Sequence, residues 1–578
     1  MTKIFSMKLV ALTAMCLFLI AGQALAQASG NITGVVADST GAIVPNATVK
    51  LVNTDIGVDK TITANDDGIY TFSLLQPGKY TVTANSGSFA AQSFEVEVQV
   101  GRTTAANFTL GAAGVSAVVE VTAEGVQTTQ SNSDAVLNQT AISNLPINGR
   151  RFQDFVTLTP TAQVEGSRGQ ISLSGQKGIN GNVNVDGLDF NQTFFGGIRG
   201  GERSNQAFVI PQESIKEFQV VASGYSAEFG RSTGGLVNAI TKSGSNDVRG
   251  SAFYLWRPEQ LARGNKYTKA LQEQRLSALG IDATLAPTQH QFGGSIGGPV
   301  VKDKLFYFAS YEQQRFRAPR QVLITNLTGL TLPAGDRGLE AFNYLRTLEL
   351  PYTETNDALA ALGKIDWTVN QNHRFNIRFN YSRNDALNAA ANGSTTFDPT
   401  RTDTLTSNGT ERNRNYIGVG QLISNFGSSL VNDLRFQAAK ETRPREANFQ
   451  GPNVFLGTSF AQYGSRNFLP TTQYDTRYQV ADSVNYLAGN HVFKFGGEYS
   501  RIFAAQVFGF NQFGAYTLQS GTTTAILQNI GTPGPPATVP PAQPFLGRFD
   551  NTSASYNRQI GNLQAAFKNQ ELAFFAQD

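Results

Sequence analysis

The side chains that most often do acid–base or metal chemistry are sparse and far apart in this chain. Its three histidines, His290, His373 and His491, fall in three separate expected strands, and none belongs to an HExxH pattern. No Gly-x-Ser-x-Gly elbow stands between a strand and a helix, as a hydrolase nucleophile requires. Gly196-Gly197-Ile198-Arg199-Gly200-Gly201 is glycine-rich but lacks P-loop spacing and the Lys-Ser/Thr that follows it, so a loop is the expected use. Asp66-Asp67-Gly68 lacks the spaced oxygen ligands and distal Glu of a calcium loop and is expected to be a hairpin turn. The remaining carboxylates are scattered, with no pair to serve as general acid and base. We therefore expect no enzyme, no catalytic residue, no metal ligand and no cofactor.

The one cysteine, Cys16, sits in the uncharged apolar run Leu9 to Ile20, after Lys3 and Lys8 and before Ala24-Leu25-Ala26. That order is a signal peptide over residues 1–26, with a run too short to span a bilayer and a mature chain starting near Gln27. The mature chain then has no thiol and no disulfide. Removing both lysines lowers the formal charge of +3 to about +1, which offers nothing to a nucleic acid. Charged residues are few (15%), glycines many (57), and phenylalanine and tyrosine (40 and 18) far outnumber tryptophan (2). Such a composition suits turns and exposed strands better than long helices, so the expected class is mainly β.

Four kinds of sequence follow the leader. In residues 27–110, Phe94, Val96, Val98 and Val100 alternate with Ser93, Glu95, Glu97 and Gln99, and Tyr70-Phe72-Leu74 and Tyr80-Val82-Ala84 repeat the period of two. Turns at Ser39-Thr40-Gly41, Asp66-Asp67-Gly68 and Gln76-Pro77-Gly78 divide the segment into about seven short strands of a sandwich. Gly34-Val35-Val36-Ala37-Asp38, Pro45-Asn46-Ala47, Asp67-Gly68-Ile69-Tyr70 and Pro77-Gly78-Lys79-Tyr80 resemble the carboxypeptidase regulatory-like domain. The resemblance implies a transthyretin-like, non-catalytic sandwich without zinc ligands.

Residues 111–135 have the Ala, Gly, Ser and Thr content of a linker. Within it, Val118-Val119-Glu120-Val121-Thr122-Ala123 is a β-prone segment able to add itself to a partner's sheet edge. It resembles a TonB box, which implies a periplasmic TonB-type energy-transducing partner; the first strand of the next domain is the equal alternative.

Residues 136–245 pattern as a compact α+β domain rich in turns. Leu145-Pro146-Ile147-Asn148-Gly149-Arg150, Asn184-Val185-Asp186-Gly187, Tyr225-Ser226-Ala227-Glu228-Phe229-Gly230 and Gly234-Gly235 through Lys242 to Gly244 resemble the plug of Oar-like (OmpA-related) TonB-dependent transporters. The resemblance implies a domain that blocks a barrel lumen, with Asn148, Gly149, Arg150, Asp186, Gly187, Gly230, Gly234, Gly235 and Lys242 as its motif residues.

From Asn246 to the end, residues 246–578, apolar and polar side chains alternate over long segments. Phe375, Ile377, Phe379 and Tyr381 interleave with Arg374, Asn376, Arg378, Asn380 and Ser382; Leu434-Phe436-Ala438 and Phe493-Phe495-Tyr499 behave alike. A soluble sandwich and an antiparallel transmembrane barrel share this pattern. The leader and the plug resemblance favour the barrel, with outer-membrane lipid against its apolar face. About ten or eleven strands are expected, half of a 22-stranded plugged transporter, so the chain is expected to be the N-terminal part of one. Long connections, including the Pro-rich Thr532 to Pro544, are expected outside the cell, and Glu571 to Asp578 are expected to begin a further strand. The resemblance implies an outer-membrane receptor that imports an external ligand (an oligosaccharide, peptide or metal chelate) using inner-membrane energy. The alternative is a surface adhesion or structural protein anchored by its barrel.

Overall fold

The structure is a computed structural model describing residues 29–87, 89–111, 117–120, 133–145, 147, 149–165, 170–193, 196–200, 208–258, 277, 287–388, 400–401, 403–427, 429–456, 462–489, 491–518, 521–530 and 554–578. The expected leader 1–26 with Cys16, the linker residues Val121, Thr122 and Ala123, Asn148, and the Pro-rich stretch 532–544 lie outside the described residues.

The first domain is a sandwich of two sheets. Strands β1 (Gly30–Asp38), β4 (Ile69–Leu75), β7 (Thr103–Ala105) and β8 (Phe108–Leu110) form one sheet. Strands β2 (Thr48–Asn53), β3 (Val58–Thr63), β5 (Gly78–Asn85), β6 (Gln92–Val98) and β9 (Ala117–Glu120) form the other, in the order β3-β2-β5-β6-β9. Among the described residues, the seven strands expected in residues 27–110 are eight, and a ninth, β9, comes from the segment expected to be linker. The alternating side chains Phe94, Val96, Val98, Tyr80 and Val82 fill the core between the sheets, and Phe94 stacks on Phe108 with ring centroids 4.7 Å apart. The turns are set by short polar side chains. Asp38 Oδ1 accepts from the Thr40 and Ala42 amides at 2.8 and 3.0 Å, and Asn65 Oδ1 accepts from those of Asp67 and Ile69 at 3.1 and 2.7 Å.

One alternation breaks. Leu74 has φ +57, and β4 slips against β1 between Gly30 and Ile32. The slip turns Leu75, not Leu74, into the sandwich core and places Leu74 against Ile423 and Val431 of the last domain.

The second, inner domain contains β10 (Ser133–Leu137), helix α1 (Gln139–Asn144), β11 (Ala162–Val164), β12 (Ile171–Leu173), β13 (Asn182–Val185), β14 (Leu188–Asp189), β15 (Ile215–Ser223) and β16 (Leu236–Thr241). Its main sheet runs β10-β15-β16-β13-β14. Asn138 caps α1 by accepting from the Ala141 amide at 3.0 Å. Strand β15 of that sheet, between β10 and β16, is buried from Phe218 to Val221. Every residue of β13 and β16 is buried, the mark of strands covered on both faces.

The third domain is a wall of long antiparallel strands: β17 (Arg249–Arg257), β18 (Thr288–Val301), β19 (Leu305–Val322), β20 (Pro351–Thr368), β21 (His373–Leu387), β23 (Gly409–Phe426), β24 (Leu430–Ala447), β27 (Thr471–Ala488), β28 (His491–Val507) and β31 (Gln564–Gln577). The two-residue strand β22 (Thr400–Arg401) adds to β19. These ten long strands follow each other around the sheet in sequence order, as hairpins do. Residues 571–578, expected to begin a new strand, instead end β31, which is already paired to β28 from Lys494↔Gln577 to Val507↔Gln564.

Short turns at 302–304 and 369–372, with Gly427 and Gly489, lie at one end of the wall, and the sandwich docks there. Lys60 Nζ donates to Asn425 Oδ1 at 3.2 Å, Asn65 Nδ2 to the Gly489 carbonyl at 3.3 Å, and Asn246 Nδ2 bridges Thr54 O and Asp303 Oδ1 at 2.7 and 2.6 Å. The described parts of the long connections lie at the opposite end, and among them is a folded body. Helices α2 (Leu339–Thr347) and α3 (Thr523–Ile530) pack with a small sheet, β26 (Gln462–Tyr463), β25 (Asn453–Phe455), β29 (Ala515–Leu518) and β30 (Ala554–Asn557). Leu327, Leu345, Val454, Tyr463 and Leu527, drawn from three separate connections, share one core.

Candidate functional site on the inner face of the wall

Alternation gives each wall strand two chemically opposite faces. Phe375, Ile377, Phe379, Leu434 and Phe436 are exposed on one, while Arg378, Asn380, Asp433, Arg435 and Gln437 are buried on the other. The buried polar face meets the inner domain. Phe308, Leu362, Ile417, Val419, Ala439 and Ala481 of the wall pack into the same core as Phe155, Val185, Phe190 and Phe218 of that domain.

Three of the expected motifs supply contacts, through Gly149-Arg150, Asp186-Gly187 and Glu228. Arg150 Nε donates to Glu312 Oε1 of β19 at 3.0 Å, its Nη2 donates to Glu213 Oε1 at 2.7 Å, and its guanidinium lies 3.9 Å from the centre of the Phe253 ring. A planar, permanently charged fork suits this triple use. Glu312 Oε2 also accepts from the Gln212 amide at 3.0 Å, and Gln291 Nε2 donates to the Gly149 carbonyl at 3.1 Å. Lys242 Nζ lies 4.0 Å from Glu213 Oε2, so Arg150 and Lys242 converge on one carboxylate from opposite ends of the domain's sequence.

Asp186 is held in a tight turn with φ +53. Its Oδ1 accepts from the Thr241 amide and its Oδ2 from the Thr241 hydroxyl, both at 2.9 Å, and Arg378 Nε of β21 stands 3.0 Å from Oδ2. Gly187, at φ +77, leaves room for Arg435: a Cβ there would lie 1.9 Å from the Arg435 guanidinium nitrogen. Arg435 is in turn held by Asp433 at 2.6 Å. Gly235, at φ +96, lets its turn pass under Leu173 and the Val221 carbonyl, where a Cβ would come within 2.6 and 2.8 Å. Gly234 donates its amide to the Asn180 carbonyl at 3.1 Å, and the Gly230 carbonyl accepts from Asn182 Nδ2 at 2.9 Å. Gly234 and Gly235 therefore shape the domain itself, whereas Gly149, Arg150, Asp186 and Gly187 meet the wall.

Sequence reasoning missed the partners. Asp189 binds Arg231 and, across the interface, Arg477; Arg199 binds Asp475 and approaches Glu441 Oε2 at 3.8 Å. Glu228 pairs with Lys494 at 2.7 Å. Asp189, Glu228, Gly230, Arg231, Glu498 and Glu571 line a cavity of about 440 Å³ between domain and wall. Paired, buried charges of this kind cost desolvation that their attraction roughly offsets, so they fix register rather than add much stability. Their signal was present as charged residues on the inward face of alternating strands, but their partners lie hundreds of residues away. Among the described residues no cluster of His, Cys, Asp and Glu is arranged to hold a metal ion.

The sandwich closes the domain's other side. The Val100 amide donates to the Glu217 carboxylate of β15, and Lys216 Nζ donates to the Pro77 carbonyl. Burial, opposed in part by the Val100 hydrogen bond, pushes the Glu217 carboxyl up to about 7. Burial, aided by Arg374, brings the Lys60 amine down to about 8. Of the linker segment, Val118, Val119 and Glu120 lie in β9, parallel to β6. That part of it is a sandwich strand, not the first strand of the inner domain, whose sheet begins with β10.

The family described as "Outer membrane beta barrel domain" matches residues 240–338 and 327–578. The chain belongs to that family. Residues 31–111 match the "Carboxypeptidase regulatory-like domain", in agreement with the sandwich. The chain is 27% identical over 378 residues to the "TonB-dependent transporter Oar" of Myxococcus xanthus, covering 61% of this chain and 34% of that protein. It is 26% identical over 204 residues to the "Probable TonB-dependent siderophore receptor PirA" of Acinetobacter baumannii, covering 32% and 23%. The chain thus spans about a third or less of the length of these curated relatives. The outer membrane transporter YddB from Escherichia coli aligns with a TM-score of 0.47 at 13% identity, over 67% of this chain and 50% of that one. The wall is therefore part of an outer-membrane β-barrel, an architecture in which the apolar face of each strand meets lipid and the polar face lines the lumen. The relatives are named as transporters and receptors, not enzymes.

Proposed function

We propose that this chain is part of a TonB-dependent outer-membrane receptor that binds an external ligand and imports it with inner-membrane energy. The observation that carries the reading is the inner domain seated on the lumen face of the wall through Arg150–Glu312, Asp186–Arg378 and Asp189–Arg477. Residues 136–245 are then a plug. Ligand meets the body formed by the external connections, and a periplasmic TonB-type protein grips residues 118–123 and rearranges the plug. The ligand is an oligosaccharide, a peptide or a metal chelate; the naming of PirA as a siderophore receptor supports the last.

Charged contacts suit a plug that must move. The apolar part of the interface would be exposed to water whenever the plug shifted, whereas its ion pairs can exchange partners or hydrate. In the full-length receptor, deletion of residues 136–245 should turn a closed protein into an open channel in planar bilayers. An inserted deletion protein that stays closed would overturn the plug. A Val121→Pro change removes a strand donor and should abolish energised uptake; unchanged uptake would overturn the box.

A further inference from the structure

On the exposed face of the wall, charge returns at one height. Arg317, Arg383, Arg414, Lys440, Arg501 and Lys568 lie nine to twelve residues from the short-turn ends of β19, β21, β23, β24, β28 and β31. Their sequence neighbours Phe316, Ser382, Asn415, Ala439 and Ile502 are buried, so the first five cations point away from the inner domain. Lys568 stands opposite Phe503 on that same outer face. At about 3.3 Å per residue and a tilt of about 40°, ten residues rise about 25 Å, the height of a barrel's apolar band. Below that level the face is uncharged: Phe375, Ile377, Phe379 and Tyr381 on β21, and Leu434, Phe436 and Ala438 on β24. The cations therefore form a belt just above the apolar band, toward the long connections.

The belt crowds like charges together. Arg383 and Arg414 stand directly opposite each other across β21 and β23, an arrangement that repels unless an anion shares it. Asp385 Oδ1 accepts from Arg414 Nη2 at 2.7 Å, and its Oδ2 lies 3.9 Å from Arg383 Nε, so one carboxylate serves two guanidiniums. Arg317 is already held by Asp357, with Nη1 2.6 Å from Oδ1. Aromatic rings lie close by. Lys440 is opposite Tyr416, the Tyr381 and Tyr416 rings are 5.1 Å apart, and Arg501 and Lys568 lie 4.9 and 5.7 Å from the Phe503 ring centre. Cations over aromatic and apolar side chains match a molecule with an anionic head and an apolar tail.

We propose that this belt binds the phosphate groups of an anionic lipid in the outer leaflet of the membrane. A guanidinium offers a phosphate two parallel donors, which suits an arginine-rich belt. The acyl chains then run down the uncharged face below. The assignment rests on the barrel and its orientation, not on the import reading.

Phosphate removal from the lipid tests it directly. The full-length receptor in an uncharged detergent is titrated with lipid A carrying two phosphates, and with the same lipid stripped of them. Bound lipid is counted by native mass spectrometry. Wild type should bind the phosphorylated form about tenfold or more tightly. Arg383→Gln/Arg414→Gln/Lys440→Gln should lose that preference, while Arg383→Lys/Arg414→Lys should keep most of it. A control, Lys50→Gln/Lys79→Gln/Lys177→Gln, removes the same charge from exposed positions off this face and should bind as wild type. Equal binding of the two lipids by wild type, which needs no variant, overturns the belt. So does a belt variant that still discriminates, or a control that loses as much. Displacement of the lipid by inorganic phosphate at matched ionic strength would mark a free-anion site and overturn the lipid. Insertion of wild type into phosphatidylcholine vesicles is read alongside; failure there would remove the barrel orientation and the belt with it.

Discussion

The sandwich and the wall are built from the same alternation with opposite results. In the sandwich Phe94, Val96 and Val98 are buried and Glu95 and Glu97 face water; in the wall Arg378 and Asn380 are buried and Ile377 and Phe379 are exposed. Period-two patterning fixes a strand and gives it two faces, but it does not say which face is covered by protein. What differs is the third partner. The sandwich sheets cover each other's apolar faces, whereas the wall turns its polar face to the inner domain and leaves its apolar face exposed. Buried charge in one region therefore marks a fault, and in the other marks the interface.

Substitutions should separate the regions accordingly. The largest effect is expected from Phe94→Ala, which opens a cavity beside Phe108 and should cost about 3–5 kcal/mol. Hydrogen exchange should show residues 30–110 losing protection while the wall keeps it. The equivalent Phe379→Ala on the exposed face of β21 should cost far less, and equal losses would break the comparison.

Arg378→Met should come next. It leaves Asp186 buried without its charge partner, a loss of roughly 3 kcal/mol, and a second change, Asp186→Asn, should recover part of it. Urea denaturation in detergent would measure both. If the double variant were no more stable than the single, the pair would not be the coupling that seats the inner domain. Ile377→Arg should cost about 2–4 kcal/mol if the position lies near mid-membrane, read by the yield of folded protein in lipid vesicles. An Ile377→Arg protein that inserts as well as wild type would place that face in water.

The smallest effect is a pH dependence at the junction of sandwich and inner domain. Glu217 is raised from 4.5 to about 7 when docked. Docking therefore favours the protonated carboxyl, is strongest below about pH 4.5, and weakens as pH rises through about 7. Cross-linking between sandwich and inner domain should fall from acid to neutral pH in wild type, and Glu217→Gln should flatten that profile. A profile identical in both would assign the dependence to another group.

Much of this was legible in the sequence, for identifiable reasons. The wall strands announced themselves because alternation extends over up to 18 residues in β19, β20, β23, β24 and β27. Asp186-Gly187 and Asn148-Gly149-Arg150 stood out by resemblance. Their wall partners did not, since Arg378 and Glu312 are ordinary members of a polar face until the fold brings a carboxylate or guanidinium opposite. Leu74 was misplaced because a single left-handed residue shifts the face that its side chain occupies. The core of the external connections was missed because Leu327, Leu345, Val454 and Leu527 show no common period and come together only in three dimensions. The pairing of Ala117–Glu120 with β6 was hidden for the same reason: a short β-prone segment carries no record of which edge it joins.

The inversion of inside and outside can be measured residue by residue. Spin labels placed singly at positions 374 to 382 of the full-length protein, reconstituted in lipid bilayers, report collision with oxygen and with a water-soluble nickel chelate. Oxygen collision maxima are expected at Phe375, Ile377 and Phe379, with nickel collisions lowest there. Nickel maxima at those three positions would mean that the exposed face meets water, and the wall would not be a membrane barrel.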